Sequence, residues 1–105
     1  MSALIVKGTL PIGVDVEGKR YKEFSIRPGT LRDSIKAAES LGANAATADS
    51  NTLRYATLAQ RISFDGLPQE QVTLDLLMGM FDRDAMAIEH AADEVEKKLD
   101  ALSNS

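Results

Sequence analysis

The sequence predicts an α+β fold, in which an N-terminal β-hairpin precedes three or four α-helices and the last helix is long and amphipathic. Apolar residues alternate along the first part of the chain, and a turn signal follows them at Glu17-Gly18. Together these features favour a hairpin. After Pro28-Gly29 the apolar residues recur at intervals of three and four, which is typical of helices.

The chain has 105 residues, the size of one domain. We expect a single domain over residues 1–102, with the hairpin at about 5–27, the helices at about 30–102 and a frayed tail at 103–105. Cysteine is absent, which excludes disulfides, thiolate metal ligands and cysteine nucleophiles, and fits a reducing compartment.

The net charge and the hydropathy of the chain argue against nucleic acid and membranes as its partners. The formal net charge is −4, whereas nucleic-acid binding normally requires a basic surface. No apolar run approaches the roughly 20 residues needed to span a bilayer. The apolar run near the N-terminus is interrupted by Lys7 and is too short for a secretory signal. We therefore expect a soluble, cytoplasmic protein that binds neither nucleic acid nor membrane.

The predicted hairpin begins with a strand whose aliphatic residues alternate on one face: Leu10, Ile12, Val14 and Val16. Pro11 lies within this strand and cannot donate to a neighbouring strand, so we expect the strand at a sheet edge. On the return strand Phe24 and Ile26 share one face and Tyr21 lies on the other. The register depends on the turn, which leaves open which aromatic residue faces the core.

The first helix is predicted over "LRDSIKAAESL", residues 31–41. Thr30 is suited to cap its N-terminus, and Asp33 lies in the first turn, where a negative charge interacts favourably with the helix dipole. Gly42 follows at the position expected for a C-terminal cap. The apolar residues of the helix are spaced along one face: Leu31, Ile35, Ala38 and Leu41.

The middle of the chain is predicted to hold a loop and two helical segments. Residues 42–51 are small and polar, typical of a mobile loop. A helix is predicted over "TLRYATLAQRISF", residues 52–64, and ends before the break "DGLP". Pro68 is a typical helix-start residue, Thr73 offers a second start, and Gly79 is a weak point before the last helix.

The last helix carries the most regular apolar pattern, with a period of about 3.5 residues over about three heptads. Two interpretations remain open: the pattern packs on the hairpin of the same chain, or it forms an interface with another chain. Acidic residues on one flank, Asp82, Glu89 and Glu96, disfavour a parallel homodimer. The residues of this pattern, here called the apolar stripe, are Met78, Phe81, Ala85, Ile88, Ala92, Val95, Leu99 and Leu102.

The only histidine, His90, lies among acidic residues of the last helix: Asp84, Glu89, Asp93 and Glu94. His90 and Glu94 are four residues apart and could share a metal ion, as could Glu89 and Asp93. A zinc site, however, requires three or four convergent ligands, and a general base requires an orienting partner and a nucleophile. We therefore interpret the cluster as a solvated polar face and expect no metal, no cofactor and no catalytic residue.

The order of features resembles the tail assembly chaperones of Mu-like and related contractile-tailed phages and prophages, over roughly residues 6–100. The similarity rests on "VDVEGKRYKEFSIR", on "RPGTLRD" leading into a short helix, and on "RISFDGLPQEQV". The aliphatic-rich "TLDLLMGMF" and the last amphipathic helix complete it.

The resemblance implies a non-enzymatic protein in the cytoplasm of the host cell. It implies that the chain binds the tape-measure protein, keeps it soluble until tube subunits polymerise around it, and leaves the finished tail. The tail tube protein is a further expected partner, and a homo-oligomer is compatible with the role. Alternatives are a structural component of a phage particle and a small regulatory or antitoxin-like interaction module.

A chaperone of this kind needs adaptable apolar surface and no bond-making chemistry. Methionine side chains are flexible and suit partners of variable sequence, and they cluster around Gly79. We therefore expect the partner-binding or self-assembly surface to include Met78, Met80, Phe81, Met86 and Ile88.

Overall fold

The structure, a computed structural model, describes residues 4–104. It confirms the predicted α+β fold, because a sheet that contains the N-terminal hairpin is followed by helices of which the last is long. In chain order the elements are β1 Val6–Val16, β2 Lys19–Ile26, α1 Leu31–Leu41, α2 Ser50–Arg61, β3 Ile62–Phe64, α3 Leu74–Met78 and α4 Asp82–Ser103, with short 3₁₀ helices at Gly42–Asn44 and Gln69–Gln71.

The hairpin turn has the two-residue form that its sequence predicts. Glu17 and Gly18 both have positive φ, 51° and 82°, as in a type I′ turn, and Val16 pairs with Lys19 across it. This register places Phe24 and Ile26 in the core, with 3% and 0% of their surface exposed.

A bulge interrupts β1 in the middle of the predicted alternation. Thr9 pairs with Glu23 and Val14 with Tyr21, so the segment 10–13 of β1 lies opposite Lys22 alone. Gly13 has a φ of 104°, and a Cβ there would lie 2.9 Å from the carbonyl oxygen of Tyr21. The bulge therefore depends on glycine at position 13. It lies on an edge strand, in agreement with the prediction made from Pro11.

A third strand joins the sheet where the sequence predicted helix. The helix prediction for residues 62–64 was wrong, since α2 ends at Arg61 and Ile62–Phe64 pairs antiparallel with β2. Ile62 and Phe64 point into the core and Ser63 points outward, which is the alternation of a half-buried strand. The free edge of β2 supplies the backbone partners, and this long-range pairing outweighs the local helical pattern.

The starts of α1 and α3 follow the capping residues that the sequence predicts. Thr30 and Asp33 form a reciprocal capping box on α1, and the Gly42 N–H donates to the Glu39 carbonyl oxygen at the other end. Thr73, the second predicted start, caps α3, while Pro68 precedes only a 3₁₀ turn. At its C-terminus α4 continues through Ser103, one residue into the predicted tail, and Ser105 lies outside the described residues.

The middle of the apolar stripe belongs to the core of this chain. α4 packs mainly against β1, and Ile88, Ala92 and Val95 are 0%, 5% and 0% exposed. They join one hydrophobic cluster with side chains of both hairpin strands, β3, α2 and α3. Of the two interpretations, packing within the chain therefore holds for this part of the stripe.

α1 exposes the apolar face that an amphipathic helix ordinarily buries. Leu31 and Ile35 are 76% and 52% exposed, whereas the buried residues of α1 are Asp33 and Ala37. The Asp33 carboxylate accepts two hydrogen bonds from Arg27, at 2.8 and 2.7 Å. This ion pair fixes the rotation of the helix and turns its apolar face outward.

Candidate interaction surfaces

The acidic residues around His90 do not converge on it. Among residues 4–104, no group of three or more histidine, cysteine or acidic residues could hold a metal ion. The Oε1 atom of Glu94 lies 3.4 Å from Nζ of Lys97, and the Asp93 side chain is exposed. His90 and Glu94 line a groove of about 520 Å³ between β1 and α4, together with Met86.

Asp84 has a structural position that the sequence did not reveal. Its side chain is fully buried and accepts hydrogen bonds from the backbone N–H groups of Ile12, at 2.9 Å, and Gly13, at 3.0 Å. The carboxylate thus satisfies two donors that the bulge leaves without a strand partner. Asp84 is not part of a solvated face, and the prediction for this residue was wrong.

Glu89 connects α4 to α2. It accepts hydrogen bonds from the guanidinium of Arg54 and from the hydroxyl of Tyr55. The hydrogen bond from Arg54 lowers the pKa of Glu89 below its ordinary value. Burial, aided by the carboxylate, raises the pKa of Tyr55 to about 12. Glu89 is therefore an ionised link between two helices, and its oxygens are already occupied by protein donors.

The predicted partner-binding residues occupy three different environments. Met78 and Phe81 are 66% and 59% exposed. Met80, which lies between them in the sequence, is half-buried. Met86 is exposed but lines the separate groove beside His90. Ile88 has no exposed surface, so it cannot form part of an exposed patch and instead anchors α4 to the sheet. We call Met78, Met80 and Phe81 the junction patch.

The junction patch lies where α3 meets α4. Gly79 ends α3, and Phe81 occupies the N-cap position of α4, where it makes no side-chain capping bond. Met80 contributes to two adjoining depressions. One, of about 210 Å³, is shared with Tyr55, Leu77 and Met78, and the other, of about 330 Å³, is shared with Gly13, Leu76 and Phe81. A flexible methionine thus lies between two shallow apolar sites.

Acidic side chains border these depressions. Asp82 lies at the first depression, and Asp75 lies at the second and at a neighbouring cleft between α2 and α3. The surrounding part of the chain is acidic as well: residues 62–105 contain ten acidic and three basic residues, whereas residues 1–61 contain six acidic and nine basic ones. The junction patch therefore suits apolar ligands that carry positive charge at their edges.

A second apolar surface, on α1, was missed as a candidate site. The sequence shows its periodicity, but periodicity alone does not tell which face of a helix is buried. The signal that could have found it is the pair of Arg27 and Asp33, because an arginine just before a capping box can draw the first-turn carboxylate inward.

No helix within the described part of the chain is long and apolar enough to cross a membrane. Comparison of the chain with models of known families, with curated proteins and with solved structures finds no match in any of the three.

Proposed function

We propose that this protein is a non-enzymatic tail assembly chaperone that binds the tape-measure protein in the host cytoplasm and keeps it soluble while the tail is built. The resemblance of the sequence to that family motivates the assignment. The observation that carries it is the junction patch, where Met78 and Phe81 expose most of their side chains at a junction held by buried neighbours.

The chemistry of the junction patch suits a long, helical, aggregation-prone client. Thioether side chains adapt to different apolar contours, so one small surface can engage several segments of a repetitive helix. The patch is small, so each contact is weak and the client can be released when tube subunits polymerise around it. The acidic border favours client helices whose apolar residues are flanked by lysine or arginine.

Co-expression with the tape-measure protein tests the proposal. The double variant Met78→Gln/Phe81→Gln removes the exposed apolar groups of the junction patch and leaves the core untouched. We expect the soluble fraction of the tape-measure protein to fall several-fold relative to the unchanged chaperone. The matched control is Met86→Gln, which alters an equally exposed methionine in the other groove and should leave solubility unchanged.

The outcome is interpretable only if the variants remain folded, so circular dichroism and thermal unfolding accompany each measurement. A folded double variant that solubilises the tape-measure protein as well as the unchanged chain would remove the basis of the proposal. So would the recovery of the protein, in stoichiometric amounts, from purified tails, because that result identifies a structural component.

A further inference from the structure

The outward face of α1 combines apolar residues with unpaired charge. Leu31, Ile35 and Ala38 are exposed on the side of the helix opposite the buried Asp33 and Ala37. Their spacing of four and then three residues is that of a helix-pairing stripe. The helix itself is firmly held, by its capping box and by the two hydrogen bonds between Arg27 and Asp33. The exposed face is thus presented by a fixed element.

The charges beside this stripe are arranged in a self-complementary order. Arg32 and Glu39 are seven residues apart, so they lie on the same flank of the stripe, about two turns from each other. In heptad notation Leu31 and Ala38 are d positions and Ile35 is an a position. Arg32 and Glu39 each follow a d position directly, so both are e positions. Among the described residues neither charged side chain has an ion-pair partner.

We propose that the α1 face binds the same face of a second copy of this chain, in an antiparallel, two-fold symmetric helix pair. A two-fold axis perpendicular to the two helices brings the charged flank of one copy beside the charged flank of the other. Arg32 of each copy then lies next to Glu39 of its partner, so two ion pairs border the apolar contact. Ile35 packs near the axis, and the large Leu31 packs over the small Ala38.

The charges also select the orientation of the pair. In a parallel arrangement e positions face g positions, and the g positions here are Ser34 and Leu41, which carry no charge. Parallel pairing would therefore leave Arg32 and Glu39 without partners. A helix of three turns buries less area than a standard stable interface, so we expect a weak and reversible dimer.

Charge exchange tests the pairing, and sedimentation equilibrium over a wide range of protein concentration measures it. In the homodimer of Arg32→Glu two glutamates face each other at each end, and in that of Glu39→Arg two arginines do. Each single variant should therefore dimerise at least about fivefold more weakly than the unchanged chain. An equimolar mixture of the two variants should regain the affinity, because in the mixed dimer position 32 of each copy faces the opposite charge at position 39 of the other.

Two further variants separate this interface from general effects. Lys36→Glu makes the same charge change as Arg32→Glu on the same helix, but at a b position that lies off the interface, and it should dimerise like the unchanged chain. Ile35→Glu should abolish dimerisation while thermal unfolding of the monomer stays close to that of the unchanged chain, since the side chain is exposed.

The proposal is overturned if the unchanged chain remains monomeric at the highest concentration, or if the mixture of charge variants associates no more tightly than either variant alone. These results would leave the chaperone assignment intact, because no residue of the α1 stripe belongs to the junction patch. Conversely, loss of client binding by the junction-patch variant has no bearing on self-association through α1.

Discussion

Asp33 shows how one carboxylate decides what a helix exposes. It accepts hydrogen bonds from the backbone of Thr30 and from the guanidinium of Arg27, and Arg27 in turn donates to the carbonyl oxygen of Gln60 on α2. Charge-assisted bidentate pairs of this kind have a fixed geometry. The side of α1 that carries Asp33 must therefore face α2, although its opposite side is the more apolar one.

The same residue predicts a pH dependence of stability. Hydrogen bonding to Arg27 holds the pKa of Asp33 well below its ordinary value in the folded protein. A lowered folded-state pKa stabilises the fold above the unfolded-state pKa of about 3.9, and this contribution is lost as the pH falls through the folded-state value. Asp33→Asn should reduce the free energy of unfolding by about 2 kcal/mol at pH 7.

Urea unfolding of Asp33→Asn and the unchanged chain from pH 7 down to pH 3 measures this effect. The difference in stability should narrow below about pH 4, because the unchanged chain begins to lose the contribution of its charged pair there. Asp15→Asn serves as the control, since it disrupts an exposed ion pair with Arg20 that contributes little. A difference for Asp33→Asn that is constant across the range would contradict the role of its ionised form.

β1 and α4 are joined through a polar contact inside an apolar interface. The bulge of β1 turns the N–H groups of Ile12 and Gly13 away from β2, and the carboxylate of Asp84 accepts both. Asp84 lies in the first turn of α4, where the helix dipole also favours a negative charge. This contact sets the position of the α4 N-terminus, and with it the position of Phe81 in the junction patch.

Asp84→Ala should therefore lower the free energy of unfolding by about 2–4 kcal/mol, because one buried and one partly buried backbone donor lose their acceptor. Asp82→Ala is the matched control: it removes a carboxylate from the same helical turn, but an exposed one, and should cost less than about 1 kcal/mol. Chemical denaturation compares the two. Equal losses would mean that Asp84 acts only through the helix dipole.

The elements that could be predicted from the sequence are those fixed by local chemistry. The turn at Glu17-Gly18, the cap at Thr30 and the C-terminal glycine of α1 each depend on a few neighbouring residues. β3 could not be predicted, because Ile62–Phe64 becomes a strand only when the edge of β2 is beside it. For the same reason the burial of Asp84 was not visible, since the donors it serves are separated from it by more than 70 residues.

The apolar stripe runs from the end of α3 through α4, and it has two roles that the sequence does not separate. Its central residues complete the core against the sheet, while Met78 and Phe81 at its start remain exposed. One repeating pattern of apolar residues therefore includes both core residues and the exposed residues of a candidate binding surface. The methionines around Gly79 are visible in the sequence, but the burial of Ile88, ten residues after Met78, is not, because it depends on the sheet beneath α4.

The burial of the central stripe residues predicts different consequences for substitutions at two neighbouring positions of α4, one in the stripe and one outside it. Ile88→Ala removes a side chain with no exposed surface and should lower the free energy of unfolding by about 2–5 kcal/mol. Met86→Ala, two residues earlier, removes one that is 70% exposed and should change it by no more than about 0.5 kcal/mol. Urea unfolding measures both, and an unchanged denaturant slope shows that the same surface becomes exposed. If Ile88→Ala were as mild as Met86→Ala, α4 would not be docked on the sheet in solution, and its whole stripe would be free for another chain.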